Sequence, residues 1–189
     1  MSTLGAALLE VRPDQGSDHA LRLIGPMPPD PVLLRWVGAE PTRFGYVALG
    51  IDPGAVRPPS LGYAAGPAQE GEGEALGEGT VFVVANNVSP GEDRAFDRWY
   101  DEIHIPHTFE HFGFTAARRY IATDPAAPFQ RLIAYASPAD VDAVSSAMDW
   151  AARDRAEAVQ QGREAALPVS ESLVGPRHAG FYVPASPSS

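Results

Sequence analysis

The sequence predicts an α+β fold: a β-α-β-β-α-β unit over residues 80–184, preceded by a β-rich N-terminal segment. Three observations predict it. TVFVVANNV (80–88) is a continuous apolar, β-branched run of buried-strand type. Two Ser-Pro openings, at Ser89-Pro90 and Ser137-Pro138, each precede residues with helical periodicity. Between the helices lie two strand-like runs, 113–122 and 129–137, joined by the turn sequence TDPAAP.

In chain order, residues 1–64 offer four short candidate strands, 7–13, 19–25, 32–38 and 44–51, separated by Pro and Gly clusters. They read as a β-rich extension or as a degenerate first copy of the second half with its helices lost. Residues 65–79, AGPAQEGEGEALGEG, are acidic and Gly-rich without apolar periodicity, as expected of a linker or exposed loop.

In the first helix, Ser89 is the expected cap, Pro90 suits the first position, and Glu92 and Asp93 suit the positive end. Phe96, Trp99, Tyr100 and Ile103 share an apolar face that His104 continues, and Pro106 is expected to kink or end the helix. In the second helix, Ser137 is the expected cap, and Val141, Val144, Met148 and Ala151 or Ala152 form the apolar face. A last strand spans 178–184, and 185–189 read as a disordered tail. This order is the split-βαβ, ferredoxin-like arrangement, with helices on one face of a four-stranded sheet. Its other face needs a cover, supplied by a second chain in a homodimer or by the N-terminal region.

Composition excludes several function classes. The net charge of −10 argues against nucleic acid and anionic membrane surfaces as partners. The absence of cysteine removes disulfides, thiol catalysis and thiolate metal sites, and the absence of lysine removes Schiff-base chemistry. No apolar run of membrane-spanning length and no secretory leader is apparent, so a cytoplasmic location is expected. The Arg-, Ala-, Gly- and Pro-heavy composition suggests a high-GC bacterial gene. No G-x-S-x-G elbow is present, and GEGEALGEG lacks the strand-helix context of a phosphate loop, so no nucleotide cofactor is implied.

The chemistry-bearing stretch is FDRWYDEIHIPHTFEHFGF (96–114), which holds three of the five histidines. His104 is a candidate general acid/base, because imidazole titrates near neutral pH; its competing role is to satisfy the helix end beside Pro106. Asp101 could orient it, and Tyr100, Asn86 or Arg118 could stabilise developing negative charge. His107 and His111 have i, i+4 spacing suited to a metal, but they lack the His-Glu-x-x-His form. A polar face at a pocket rim is the expectation for them, and no metal site is assigned. Asn86 and Asn87 are the only asparagines, and strand alternation allows one of them to face inward. Arg118 and Tyr120 share one face of their strand, and Arg131 and Tyr135 share one face of the next. If that face is the pocket, Arg118 could bind a carboxylate or phenolate; otherwise these arginines pair with surface acids.

With Trp99, Tyr100, Asp101, His104, Pro106, Gly113, Phe114 and Arg118, the run FDRWYDEIHIPHTFEHFGFTAARRY resembles the signature helix of the dimeric α/β-barrel superfamily, nearest its EthD-like branch. The resemblance covers about residues 80–184. It implies a ligand held between sheet and helices, and a choice among cyclase, isomerase, degradative, cofactor-free monooxygenase and haem-protein activities. The expectation is a small enzyme without an organic cofactor. It would move a proton next to a carbonyl of an oxygenated aromatic or polyketide-like molecule, with isomerase, cyclase or lyase outcomes. His104, Asp101 and Tyr100 would be catalytic, and Asn86, Trp99, His107, Arg118, Tyr120 and Tyr135 would bind substrate. The alternatives are a non-catalytic small-molecule-binding barrel, a haem-dependent enzyme and a cofactor-free monooxygenase.

Overall fold

The computed structural model describes residues 5–24, 32–40, 42–71 (backbone alone from 67), 76, 78–167 and 169–185. The 185–189 tail lies outside these beyond Ala185. The strands are β1 (Gly5–Leu9), β2 (Val32–Val37), β3 (Tyr46–Ile51), β4 (Leu61–Gly71), β5 (Thr80–Val88), β6 (Ala116–Ala122), β7 (Arg131–Ser137) and β8 (Leu173–Pro184). They close an antiparallel barrel in the order β1-β3-β2-β8-β5-β7-β6-β4. The first four strands therefore stand as β4-β1-β3-β2 and the last four as β8-β5-β7-β6, the same order counted from the first strand of each half. The halves are joined by β2 against β8 and by β4 against β6. The face that the sequence left uncovered is closed by strands of the same chain.

Strand alternation sorts the side chains into three apolar layers. Inside the barrel, Leu8, Leu34, Val47 and Leu49 of the first half meet Val81, Val83, Leu132 and Ala134 of the second. Outside the first half, Ala7, Leu9, Tyr46 and Ala48 pack with Ala20 of α1 (Ser17–Leu21). Outside the second half, Phe114, Ile133 and Tyr135 meet the rings of a long helical segment and of α4 (Val141–Gln161).

That helical segment contains α2 (Asp93–Trp99), a π-helical turn (Tyr100–His104) and α3 (Ile105–Phe112). The helix neither ends nor breaks at Pro106. Proline has no N–H to donate to the carbonyl four residues back, and its ring crowds that carbonyl. The chain instead widens by one residue, and the Ile105 amide donates to the Tyr100 carbonyl. Pro106 then sits in the first turn of α3, where its missing donor costs nothing. The register slip also corrects the expected apolar face: Ile103 is exposed while His104 turns in.

Other expectations are also corrected. Of the expected strand 19–25, residues 19–24 do not form one, and residue 25 lies outside the described residues. Their first part belongs to α1, and Ile24 makes a single bridge to Val56. The 65–79 stretch is not a linker from its start, since β4 runs to Gly71 and pairs with β6; residues 72–75 and 77 lie outside the described residues. Ser89 caps no helix, because α2 starts at Asp93. Asp140, not Ser137, caps α4, its Oδ1 accepting from the Ala143 amide at 2.8 Å. Helix α4 runs unbroken to Gly162, whose φ of 63° suits only glycine without strain. The last strand starts at Leu173 rather than 178.

Candidate active site

A cavity of about 310 Å³ lies between the outer face of the β5–β8 sheet and the helices above it. Its size falls at the lower end of the range for small-molecule sites. Aromatic side chains keep the helices off the sheet: Phe96, Trp99 and Tyr100 from the helical segment, Phe82 and Tyr135 from the sheet, and Phe114 from the loop before β6. Phe114 stacks on Tyr135 with ring centroids 5.0 Å apart.

His104 points into this cavity. The π turn makes this orientation possible, because residues five apart come together only on a widened helix. The Trp99 ring stacks on the His104 ring at 4.6 Å and 25°. Tyr100 lies 5.0 Å from it and Tyr135 6.3 Å. Burial, then the positive charge of Arg155, then His107, lower the His104 pKa to about 4. The imidazole is therefore neutral at pH 7 and free to accept a proton.

Three buried polar atoms at this cavity have no partner: His104 Nδ1, Tyr100 Oη and Asn86 Oδ1. Buried polar groups in folded proteins are almost always paired, so a cluster of orphans in one cavity marks a site for a ligand or ordered solvent. Asn86 is freed by a bulge. Ala85 pairs with His178 and Asn87 with Val174, so one residue of β5 faces three of β8, Gly175-Pro176-Arg177. Gly175 has a φ of 71°, and Pro176 has no donor for the ladder, so this sequence favours the bulge. Asn87 faces the other way, donating to the Pro128 carbonyl and accepting from the Gln130 amide, both at 2.8 Å.

Asp101 is not brought to His104. Its Oδ1 accepts from Arg119 Nη2 at 2.6 Å. It is the last rung of an i, i+4, i+8 ladder in which Asp93 and Asp97 accept from Arg131, both at 2.7 Å, and Asp97 also accepts from Arg119 at 3.3 Å. Both arginines are largely buried, and their guanidinium groups lie over the Tyr100 and Phe96 rings. The ladder fastens the helix to β6 and β7, so Asp101 bears on the site through helix position.

Of the remaining expected residues, Trp99 and Tyr135 line the cavity. Arg118 and Tyr120 do not. Tyr120 belongs to the barrel interior, and Arg118 shares its face of β6, while Arg119 turns toward the helices. On β7, Arg131, Ile133 and Tyr135 face the helices, so the two strands' Arg-Tyr pairs point to opposite sides of the sheet. His107 and His111 share α3 with rings 6.1 Å apart, and His107 is outside the cavity lining. Among the described residues no group of three His, Cys, Asp or Glu could hold a metal ion, and no helix is long and apolar enough to cross a membrane.

Sequence reasoning missed Arg155 and Arg177, which also line the cavity. The signal for Arg155 is its place in the stripe Val144, Met148, Ala151, Arg155, Ala158, a charge at an apolar position of α4. The signal for Arg177 is the Gly-Pro dipeptide before it, which marks a bulge.

No protein-family model matches the chain, and no curated protein matches it. Among solved structures the chain is similar to a Fusobacterium nucleatum protein named "Putative monooxygenase", with 11% identity and a TM-score of 0.53 over 97% of this chain and 92% of the other. At that identity the likeness bears on the fold alone.

Proposed function

We propose that the cavity is the active site of a small enzyme in which neutral His104 removes a proton next to a carbonyl of an oxygenated aromatic molecule. The single observation that carries this is the convergence of three unpartnered buried polar atoms, one of them on a neutral imidazole, in one aromatic-walled cavity. The ring accepts the proton in a site screened from bulk water. The Tyr100 hydroxyl donates to the oxygen on which charge develops. Asn86 Oδ1 accepts from a substrate hydroxyl, and the Trp99 face holds the imidazole in plane. The proton returns to another carbon or a leaving group departs, giving isomerase, cyclase or lyase outcomes; no step calls for an organic cofactor.

In this reading each half is a ferredoxin-like βαββαβ unit of the dimeric α/β-barrel type, the EthD-like branch being the nearest. The first is a degenerate repeat whose helices have shrunk to α1 and the 3-10 turns Pro13–Gln15 and Pro53–Ala55. One chain then closes the barrel that two chains close elsewhere, and a homodimer is not needed to cover the sheet. The shared strand order of the two halves supports this.

A second reading is favoured by the monooxygenase name of the structural neighbour. The same deprotonation at an activated CH₂ yields an electron-rich enolate that dioxygen oxidises. One oxygen atom enters as a carbonyl, and the other leaves as water with the two hydrogens of the CH₂.

The test is deuterium uptake next to the carbonyl of 2-tetralone in D₂O, followed by NMR. His104→Gln should lower the catalysed rate by about 10²–10⁴-fold with the far-UV circular dichroism intact. Equal rates in the variant and the wild type would sink the proton-transfer reading. Oxygen consumption with a phenolic anthrone-like ketone separates the second reading from the first.

A further inference from the structure

We infer that the cavity takes an anion: an aromatic ligand whose acidic group is held between Arg155 of α4 and Arg177 of β8 while its reacting carbon lies at His104. This deepens the proton-transfer reading and rests on it for the position of the reacting carbon; the anion-binding part stands on the arginines alone.

The charge on the cavity wall carries the argument. No aspartate or glutamate lines the cavity, although the chain holds 24 of them against 14 arginines. The cationic residues of the lining are Arg155 and Arg177; the other polar members are neutral at pH 7, including Asn86, Tyr100, His104 and Thr108.

The state of these two arginines differs from that of five others. Arg12, Arg43, Arg119, Arg131 and Arg163 all form ion pairs with carboxylates, as an acidic protein readily allows. Among the described residues, neither Arg155 nor Arg177 has a carboxylate partner; the other seven arginines have none either, but these lie outside the cavity lining, so an unpaired guanidinium at the cavity is what sets Arg155 and Arg177 apart. The Arg155 Nε donates to the Ala151 carbonyl at 3.4 Å, which holds the side chain along its helix and leaves both terminal nitrogens without a protein partner. Arg177 is exposed, where the β8 bulge brings it to the cavity rim. A planar guanidinium beside a cavity of low polarity is a receptor for a carboxylate, sulfonate or phenolate.

Position adds a second argument. Burial is the main cause of the low basicity of His104, and the charge of Arg155 lowers it further. A ligand anion on Arg155 offsets the Arg155 contribution on binding. The base is then weak in the empty site and strengthened by its own substrate. The titratable and charged groups around His104 are Tyr100 and His107 from its own helix, Arg155 from α4 and Tyr135 from β7, with Arg177 of β8 elsewhere on the same cavity wall. None of them is a carboxylate, so the ligand supplies the negative charge.

The experiment compares two dyes that differ by one sulfonate, 1-anilinonaphthalene-8-sulfonate and N-phenyl-1-naphthylamine, titrated into the full chain at low salt. The wild type should bind the sulfonate more tightly by about tenfold, the size of one charge-assisted contact. Arg155→Gln and Arg177→Gln should each erode that preference and leave affinity for the neutral dye unchanged. Arg177 is exposed, so its variant tests the inference even if Arg155→Gln disturbs α4. Equal affinity for the two dyes in the wild type would overturn the inference. So would binding of neither dye, or a sulfonate preference that survives in the double variant. His104→Gln should keep the preference while losing 2-tetralone exchange, so failure of the anion inference and failure of the base reading give different results.

Discussion

The two halves of the barrel carry strands in the same order, yet their outer faces end differently. Over β5–β8, long helices stand off the sheet on Phe96, Tyr100, Phe114 and Tyr135, and a cavity of about 310 Å³ remains. Over β1–β4, the five-residue α1 closes onto a layer that includes Ala7, Ala20 and Ala48, each fully buried or nearly so. Small side chains let backbones approach, and large flat ones hold them apart. The outer face of one half is packed shut, and that of the other keeps a cavity. Site geometry here follows from what is packed over the sheet rather than from the order of the strands.

The sharpest way to test this contrast is acid. His104 titrates at about 4 in the folded protein against 6.5 unfolded, because burial and Arg155 disfavour its charge. Above pH 6.5 both states hold neutral imidazole and the residue contributes nothing to the pH dependence. As pH falls from 6.5 toward 4 only the unfolded chain takes the proton, so stability is lost through that window, by about 3 kcal/mol in total. Below about 4 the loss stops growing. His178, at the barrel's inner face, is shifted in the same direction by burial and adds to the loss. Urea unfolding at pH 7 and at pH 4.5 should show the drop, and His104→Leu should remove the His104 share and leave that of His178. A variant whose acid sensitivity equals that of the wild type would mean the ring is not held neutral by the cavity.

Much of the second half was legible because its signals are local. The apolar run of β5, the periodicity of α4 and the Gly113-Phe114 stop are read from adjacent residues. The missed features depend on contacts remote in sequence. β4 is a strand because β6 offers its backbone a ladder; the Gly/Glu composition of 65–71 gives no hint of this. The faces of Arg118 and Arg119 depend on which side of the sheet the barrel closes, and Asp101 was lost to His104 because Arg119 competes for it. The π turn was half legible: Pro106 signalled a disturbance, but whether a helix breaks or bulges is set by what its next turn can bury. Here Ile105, Thr108 and Phe112 are buried, which favours continuing.

A smaller effect is expected from crowding the closed half. Ala7 on β1 is flanked by Ala48 on β3 and Gly62 on β4, and a Cβ on Gly62 would already collide with the Pro53 carbonyl. Ala7→Leu has nowhere to place three more carbons. It should destabilise the protein by about 1–3 kcal/mol, read from the urea midpoint, while leaving dye affinity at the distant cavity unchanged. A neutral outcome would show that α1 lifts away freely and that the first half is not closed in the sense argued.

The smallest stability effect, and the most informative pairing, comes from the matching strand of the other half. Val84 stands on β5, the first strand of its half as β1 is of the other, and it faces the cavity. Val84→Phe adds more carbon than Ala7→Leu, yet the ring enters open space beside Phe82, Phe114 and Tyr135, and phenylalanine suits a strand as well as valine does. Its stability should stay within about 1 kcal/mol of the wild type, while affinity for both dyes falls because the ring occupies the ligand's volume. The two substitutions thus separate what the halves do: one costs stability and spares binding, the other spares stability and costs binding. If Val84→Phe instead unfolds the protein as readily as Ala7→Leu, the helices over β5–β8 are packed as tightly as α1 is, and the cavity is not room kept for a ligand.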